Sequence, residues 1–198
     1  MLDLPKSTFF GRIIAKEKIY EHSSANKKLV ELFVNQIERI RWLNKISAET
    51  VNIERGKQVD EIEVLEIALK VPTLDNRVLS TIRKAIPHRI VFSLVYGGVV
   101  NYSLHYDDET VFSTTIPPKF IGNNLDSVWE NLIVQISGIT VAEGRTLDEQ
   151  VAVNIENDKL ARKIEKLERQ AMREQQPRRK WELAEEVRKM KIELEGIQ

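Results

Sequence analysis

The fold is decided by residues 89–106, RIVFSLVYGGVVNYSLHY. Two runs rich in valine, isoleucine, phenylalanine and tyrosine lie on either side of Gly97-Gly98, and a two-glycine turn between such runs predicts a β-hairpin. In the second run, the residues from Val99 to Leu104 form two alternating sets, which is typical of an extended strand with two different faces. The stretch therefore predicts two neighbouring antiparallel strands.

Further strands and helices are predicted on both sides of this hairpin. An arm over residues 1–24 packs partly on the domain. A helix capped by Ser23 or Ser24 begins near Ala25 and changes into a strand near Glu38. The remaining elements are a strand over 61–71, a helix from Asp75 to Pro87, a strand over 110–116, and a helix from Asn123-Asn124 to Gly138. Because strands joined by tight turns pair most simply as antiparallel neighbours, we predict an α+β domain with a mainly antiparallel sheet and helices on one face.

Two apolar stripes at helical spacing lie in the C-terminal part of the chain, on either side of Gln175-Gln176-Pro177. They consist of Leu160, Ile164, Leu167 and Ala171, and of Leu183, Val187, Met190 and Leu194. Isolated helices of this length are marginal in water, so the stripes predict an antiparallel helical hairpin, a short coiled coil. Its apolar faces must pack on each other, on the preceding domain or on another protein. We therefore expect this hairpin to bind a protein partner or to mediate self-association.

These patterns divide the chain into three predicted parts. A chain of 198 residues has room for one domain of ordinary size and an appendage. The predicted parts are an α+β domain over 1–140, a connector over 141–157 that becomes helical near Thr146, and the helical hairpin over 158–198.

The composition excludes several classes of site. There is no cysteine, which excludes disulfides, thiolate metal ligands and cysteine nucleophiles. The 30 basic residues equal the 30 acidic residues, so the net charge does not indicate nucleic-acid binding. No glycine motif for phosphate binding is present, and we predict no cofactor. No apolar run reaches the length of a membrane span, and we expect a cytoplasmic protein that binds no membrane.

Basic residues are concentrated around the turn of the helical hairpin. Nine lysines and arginines but only three glutamates lie between Lys159 and Lys180. The candidate contacts for nucleic-acid phosphates are Arg173, Arg178, Arg179 and Lys180, beside Trp181. We favour the alternative in which these charges pair across the helices and keep the coiled surface solvated, because no nucleic-acid-binding motif accompanies them.

Carboxylates on the strand over 61–71 raise a different hypothesis, a metal-dependent nuclease. The residue types that such a site requires are present in Glu61, Glu63, Glu66 and Lys70. The usual signature has an acid two residues before the lysine, and Lys70 has none there, so this function is our last choice. The three histidines are scattered along the chain and predict no metal site.

Several stretches are similar to one family. They are Leu4-Pro5-Lys6, 32–37, 42–46, 61–67, Ala85-Ile86-Pro87-His88 and 176–183. On these residues the chain resembles an uncharacterised bacterial and archaeal family, a domain of unknown function with the number four-three-nine-one. At the position of His88 the resemblance implies an aromatic residue more often than histidine. It implies no active site. Because members are often encoded beside helicases and DNA methyltransferases, it implies an accessory role in a restriction-like or antiphage DNA-processing system.

Together, these observations favour a non-enzymatic accessory or interaction protein. Its α+β domain would dock on a larger partner, and the helical hairpin would provide a second contact or a self-association element. Nucleic-acid binding through the basic end of the hairpin is the first alternative, and a metal-dependent nuclease is the second.

Overall fold

Within residues 2–23 and 25–197, which the computed structural model describes, six strands form one sheet. In chain order they are β1 (Phe9–Ile14), β2 (Ile37–Ser47), β3 (Glu61–Leu69), β4 (Arg89–Tyr96), β5 (Val99–His105) and β6 (Val111–Thr114). The strands lie side by side in this same order. All neighbours are antiparallel except β3 and β4, which run parallel. The predicted α+β fold with a mainly antiparallel sheet is therefore confirmed.

The chain divides into two compact units, Met1–Gly138 and Ile139–Gln198. Besides a short 3-10 helix (Lys6–Thr8), the helices of the first unit are α1 (Lys16–Ser23), α2 (Lys27–Gln36), α3 (Ala48–Val51), α4 (Asn76–Ala85) and α5 (Leu125–Ser137). The predicted arm thus contains β1, which pairs with β2, and α1, which contributes the buried Ile19 to the core.

Side-chain caps fix the starts of these helices. Asp75 caps α4 and Asn124 caps α5, as the sequence predicted. The predicted cap of α2 at Ser23 is wrong, and Ser24 lies outside the described residues. The cap is Asn26, whose Oδ1 accepts a hydrogen bond of 3.0 Å from the backbone N–H of Leu29. An asparagine accepts this bond as well as a serine does, so residue preference alone could not choose between neighbouring positions.

The glycine turn of residues 89–106 has the geometry that its sequence predicts. Gly97 and Gly98 have φ values of +56° and +83°, and Tyr96 pairs with Val99 directly across the turn. Two successive positive φ values are typical of the tight turn that matches the twist of a hairpin, and glycine adopts them at little cost.

The parallel pair is the main departure from the expected topology. Helix α4 connects β3 to β4, and a helix of this length returns the chain to the edge of the sheet at which β3 begins. Strand β4 therefore starts beside the start of β3, and Ile62 pairs with Arg89. This arrangement brings together residues that are almost thirty positions apart in the sequence.

The sheet is covered on both faces. On one face, residues of β2, β3 and β4 form a buried cluster with α1, α2 and α4, which includes Phe33 and Ile82 from the helices and Leu65 and Ile67 from β3. The sequence predicted α2, α4 and α5 together on one face, but the structure has α1, α2 and α4 there, and α1 comes from the predicted arm. Helix α5 lies on the other face, where the guanidinium of Arg89 is 5.6 Å from the ring centroid of Trp129.

The second unit consists largely of two helices that pack against each other. They are α6 (Leu147–Arg173) and α7 (Pro177–Ile197). Thr146 caps α6 in a reciprocal arrangement with Glu149, so the helix begins inside the predicted connector. An ion pair of 2.8 Å joins Glu168 of α6 to Lys191 of α7.

Candidate functional site

Two glutamates and a histidine meet at the shared starting end of β3 and β4. Glu61 and Glu63 are two residues apart and therefore lie on one face of β3. The register that pairs Ile62 with Arg89 places His88 beside Glu61. One ligand atom from each of the three side chains lies within 4.8 Å of those from the other two. The parallel pairing thus assembles a cluster of two carboxylates and one imidazole, which we call the Glu61–Glu63–His88 cluster.

Glu63 is the buried member of this cluster. Only 3% of its surface is exposed. Among the side chains that the structure describes, none donates a hydrogen bond to it. Burial and the nearby carboxylate of Glu61 raise the pKa of Glu63 to about 7, although Lys45 acts in the opposite direction. A buried carboxyl without a donor is costly to ionise, so Glu63 keeps its proton to a higher pH than an exposed glutamate does.

Glu61 has a cationic neighbour and faces a cleft. The Nζ of Lys45 lies 2.6 Å from its Oε2. Glu61 and His88 both line a cleft of about 410 Å³, together with Arg83 and Lys84 from the end of α4. The outer part of the cluster is therefore accessible from solvent, whereas Glu63 lies beneath it.

Of the four residues in the nuclease hypothesis, Glu61 and Glu63 come together, whereas Glu66 and Lys70 do not join them. Glu66 lies on the other face of β3, where its Oε1 is 3.7 Å from Arg41. The Nζ of Lys70 donates a hydrogen bond of 2.8 Å to the backbone oxygen of Val34. The residue that does join Glu61 and Glu63 is His88, which the sequence analysis treated as isolated. Its partners could have been found from the strand–helix–strand order, since such a unit predicts parallel pairing.

The apolar stripes of the helical hairpin lie where α6 and α7 pack. Ile164 and Val187 are buried, and the six other residues of the predicted stripes are half-buried: Leu160, Leu167, Ala171, Leu183, Met190 and Leu194. The two helices therefore use these stripes at least partly for their own contact.

The basic residues surround the end of the hairpin that carries the turn, and we call Met172–Trp181 the hairpin tip. Two of the four candidate cations have acidic neighbours, since Arg178 lies 3.3 Å from Glu182 and Arg179 lies 3.6 Å from Glu174. Within the described part of the chain, Arg173 and Lys180 form no ion pair. Trp181 and Met172 are the exposed apolar side chains of the tip, with 66% and 80% of their surfaces accessible.

Comparison with known proteins supports the family resemblance seen in the sequence. The model of one family, described as "Domain of unknown function (DUF4391)", matches residues 2–194. The chain belongs to the DUF4391 family. No curated protein and no solved structure matches it.

The match to DUF4391 extends over both compact units, so the helical hairpin is part of the family pattern. In the portion of this DUF4391 chain that the structure describes, no helix combines the length and the apolar character needed to cross a membrane.

Proposed function

We propose that this DUF4391 protein acts by binding a partner protein that presents an apolar pocket with an acidic rim to the hairpin tip. The observation that carries the proposal is the exposure of Met172 and Trp181 among cations. This proposal assigns the accessory role that the sequence favours to one defined surface, the hairpin tip.

The apolar part of the tip provides the binding energy in this proposal. Trp181 is two-thirds exposed. Burying this exposed surface in a partner's pocket would contribute about 3 kcal/mol to the free energy of binding. Tryptophan and arginine are also the residues that most often dominate the energy of a protein interface. Met172 lies two residues before the loop 174–176 and Trp181 five residues after it, and in this proposal one pocket of the partner receives both.

The charge of the tip favours an acidic partner. Arg173 and Lys180 are exposed and form no ion pair with described residues, so each is available to an external carboxylate. Charges at the rim of an interface mainly raise the association rate and exclude partners of like charge. An apolar pocket with acidic residues around it complements this surface.

Nucleic acid is the competing occupant. The same cations could contact phosphates, and Trp181 could stack on a base. Glu174 and Glu182 already pair with Arg179 and Arg178, however, which leaves Arg173 and Lys180 for phosphates, and nucleic-acid affinity depends mainly on several such contacts. We therefore favour a protein partner.

Photocrosslinking from the tip tests the proposal. Two versions of the full chain are made, one with p-benzoylphenylalanine at position 181 and one with it at the exposed control position 116 in the first unit. Each is expressed and irradiated in cells of its source organism. We expect a nuclease-resistant adduct with one other protein from position 181 and none from position 116. Charge reversal at the tip, with Arg173→Glu and Lys180→Glu, should remove the adduct. The matched reversal Lys159→Glu and Lys163→Glu on the same hairpin should not.

The other outcomes contradict the proposal. A nuclease-sensitive adduct would identify nucleic acid as the occupant. An adduct of twice the chain mass of 22.9 kDa would identify self-association. Equal labelling from both positions, or no labelling, would show that the tip has no specific partner.

We further propose that the partner belongs to a cytoplasmic DNA-processing system of the restriction-like or antiphage kind. Support for this part comes from the family resemblance and its implied gene neighbours, and from a cysteine-free composition that suits a reducing compartment. Identification of the crosslinked protein by mass spectrometry tests it, because a partner unrelated to DNA processing would contradict it.

A further inference from the structure

The Glu61–Glu63–His88 cluster lies about 1 Å from the spacing of a metal site. The atoms that could act as ligands lie within 4.8 Å of one another. Ligand atoms around a tetrahedral Zn²⁺ are about 3.3–3.6 Å apart, which follows from metal–ligand distances of about 2.0–2.2 Å. The cluster would need to contract by about 1 Å, which small side-chain rotations can provide.

The buried carboxylate gives an independent indication of a bound cation. Glu63 is more than nine-tenths buried, lies within reach of the two other ligand atoms, and receives no hydrogen bond from the described side chains. Buried charges in proteins are normally paired or bound to a metal. Lys45 contacts Glu61 and also acts on Glu63, so a single lysine charge serves two carboxylates. If both carboxyls are ionised, one negative charge remains that a cation could balance.

We infer that Glu61, Glu63 and His88 bind one divalent transition-metal ion of the Zn²⁺ or Mn²⁺ class. One imidazole and two carboxylates favour these ions over Mg²⁺, because imidazole suits borderline metals and Mg²⁺ prefers oxygen ligands and water. Three protein ligands leave at least one coordination position for water or another ligand.

The position of the cluster in the fold suits this role. Glu61 and Glu63 are held by a strand with neighbours on both sides, and ligands on regular elements are held more precisely than ligands on loops. His88 directly precedes β4, and the pairing of Arg89 with Ile62 keeps it beside Glu61. The cleft that Glu61 and His88 line allows an ion to reach the cluster from solvent. This site lies entirely within the first unit and is independent of the function proposed for the hairpin tip.

Isothermal titration calorimetry of the full, EDTA-treated chain tests the inference, with ZnCl₂, MnCl₂ and MgCl₂ as separate titrants. We expect one Zn²⁺ or Mn²⁺ per chain and weaker binding of Mg²⁺. Glu63→Gln and His88→Gln should each weaken the binding by roughly tenfold or more, because each removes a ligand. The control Glu66→Gln changes a carboxylate of the same strand on the opposite face and should leave the affinity unchanged.

A second readout separates ligation from general surface binding. Co²⁺ bound by an imidazole and carboxylates gives a visible absorption band, which should appear with the wild type and be lost with His88→Gln. Circular dichroism of each variant shows whether it is folded, and the half-buried His88, just before β4, is the safer of the two positions to replace. Binding that is absent, exceeds one ion per chain, or is equally strong in the Glu63 and His88 variants would overturn the inference.

Discussion

Glu63→Gln should make the first unit more stable than the wild type, and this difference in stability should grow as the pH rises from 5 to 8. Burial and the neighbouring carboxylate of Glu61 raise the pKa of Glu63 from 4.5 to about 7 in the folded protein. Between these two values the folded chain keeps a proton that the unfolded chain has lost. The wild type therefore loses stability over this interval, whereas glutamine cannot titrate.

The magnitude follows from the size of the shift. A change in pKa from 4.5 to about 7 corresponds to about 3 kcal/mol of stability. Part of this loss falls below pH 5, and the open cleft beside the cluster screens the charge. We therefore expect the advantage of Glu63→Gln to grow by about 2 kcal/mol between pH 5 and pH 8.

Urea unfolding in EDTA measures this difference. With Trp181→Phe in both proteins, the fluorescence of Trp42 and Trp129 reports on the first unit. Glu49→Gln is the matched control, because a hydrogen bond from Arg55 holds the pKa of Glu49 at about 2. Its stability difference from the wild type should not change between pH 5 and 8. If the Glu63→Gln difference were equally constant, the proposed burial of an unpaired acid would be refuted.

Two further predictions concern the fold. Gly98→Ala should lower the free energy of unfolding by about 1–2 kcal/mol, because alanine is strained at the φ of +83° found there, and urea unfolding that shows no loss would contradict the turn geometry. Ile164→Ala in the contact of α6 and α7 should cost about 2–4 kcal/mol, whereas Ile192→Ala on the exposed side of α7 should cost less than about 0.5 kcal/mol. Urea unfolding, with the loss of helix measured by circular dichroism, gives the free energy of unfolding of both variants. Equal losses of stability would contradict the packing of α6 on α7.

Local patterns predicted most of the elements. The paired glycines specified the hairpin of β4 and β5, and Asp75 and Asn124 marked the starts of two helices. The change from helix to strand was expected near Glu38 and occurs at Ile37, where β2 begins. These features depend on residues close in sequence, so their signals are present in a short window.

Pairing between distant residues was harder to predict. The expectation of antiparallel neighbours came from tight turns, and it does not apply to β3 and β4, which α4 joins. Because the direction of this pair was missed, His88 was not placed next to Glu61 and Glu63. The exposure of Met172 and Trp181 also could not be predicted, because helical spacing identifies the stripe that packs but does not show which other residues remain uncovered.

The most direct test of the account is a crosslink across β3 and β4, on whose direction the proposed metal site depends. The chain has no cysteine, so Glu61→Cys with His88→Cys would create a single pair of thiols. Neighbouring strands are about 4.8 Å apart, which a disulfide can span. The account predicts that this pair oxidises readily in the folded protein, while the control pair Glu61→Cys with Tyr96→Cys, which antiparallel strands would bring together, remains reduced. Oxidation of the control pair in place of the first would contradict it.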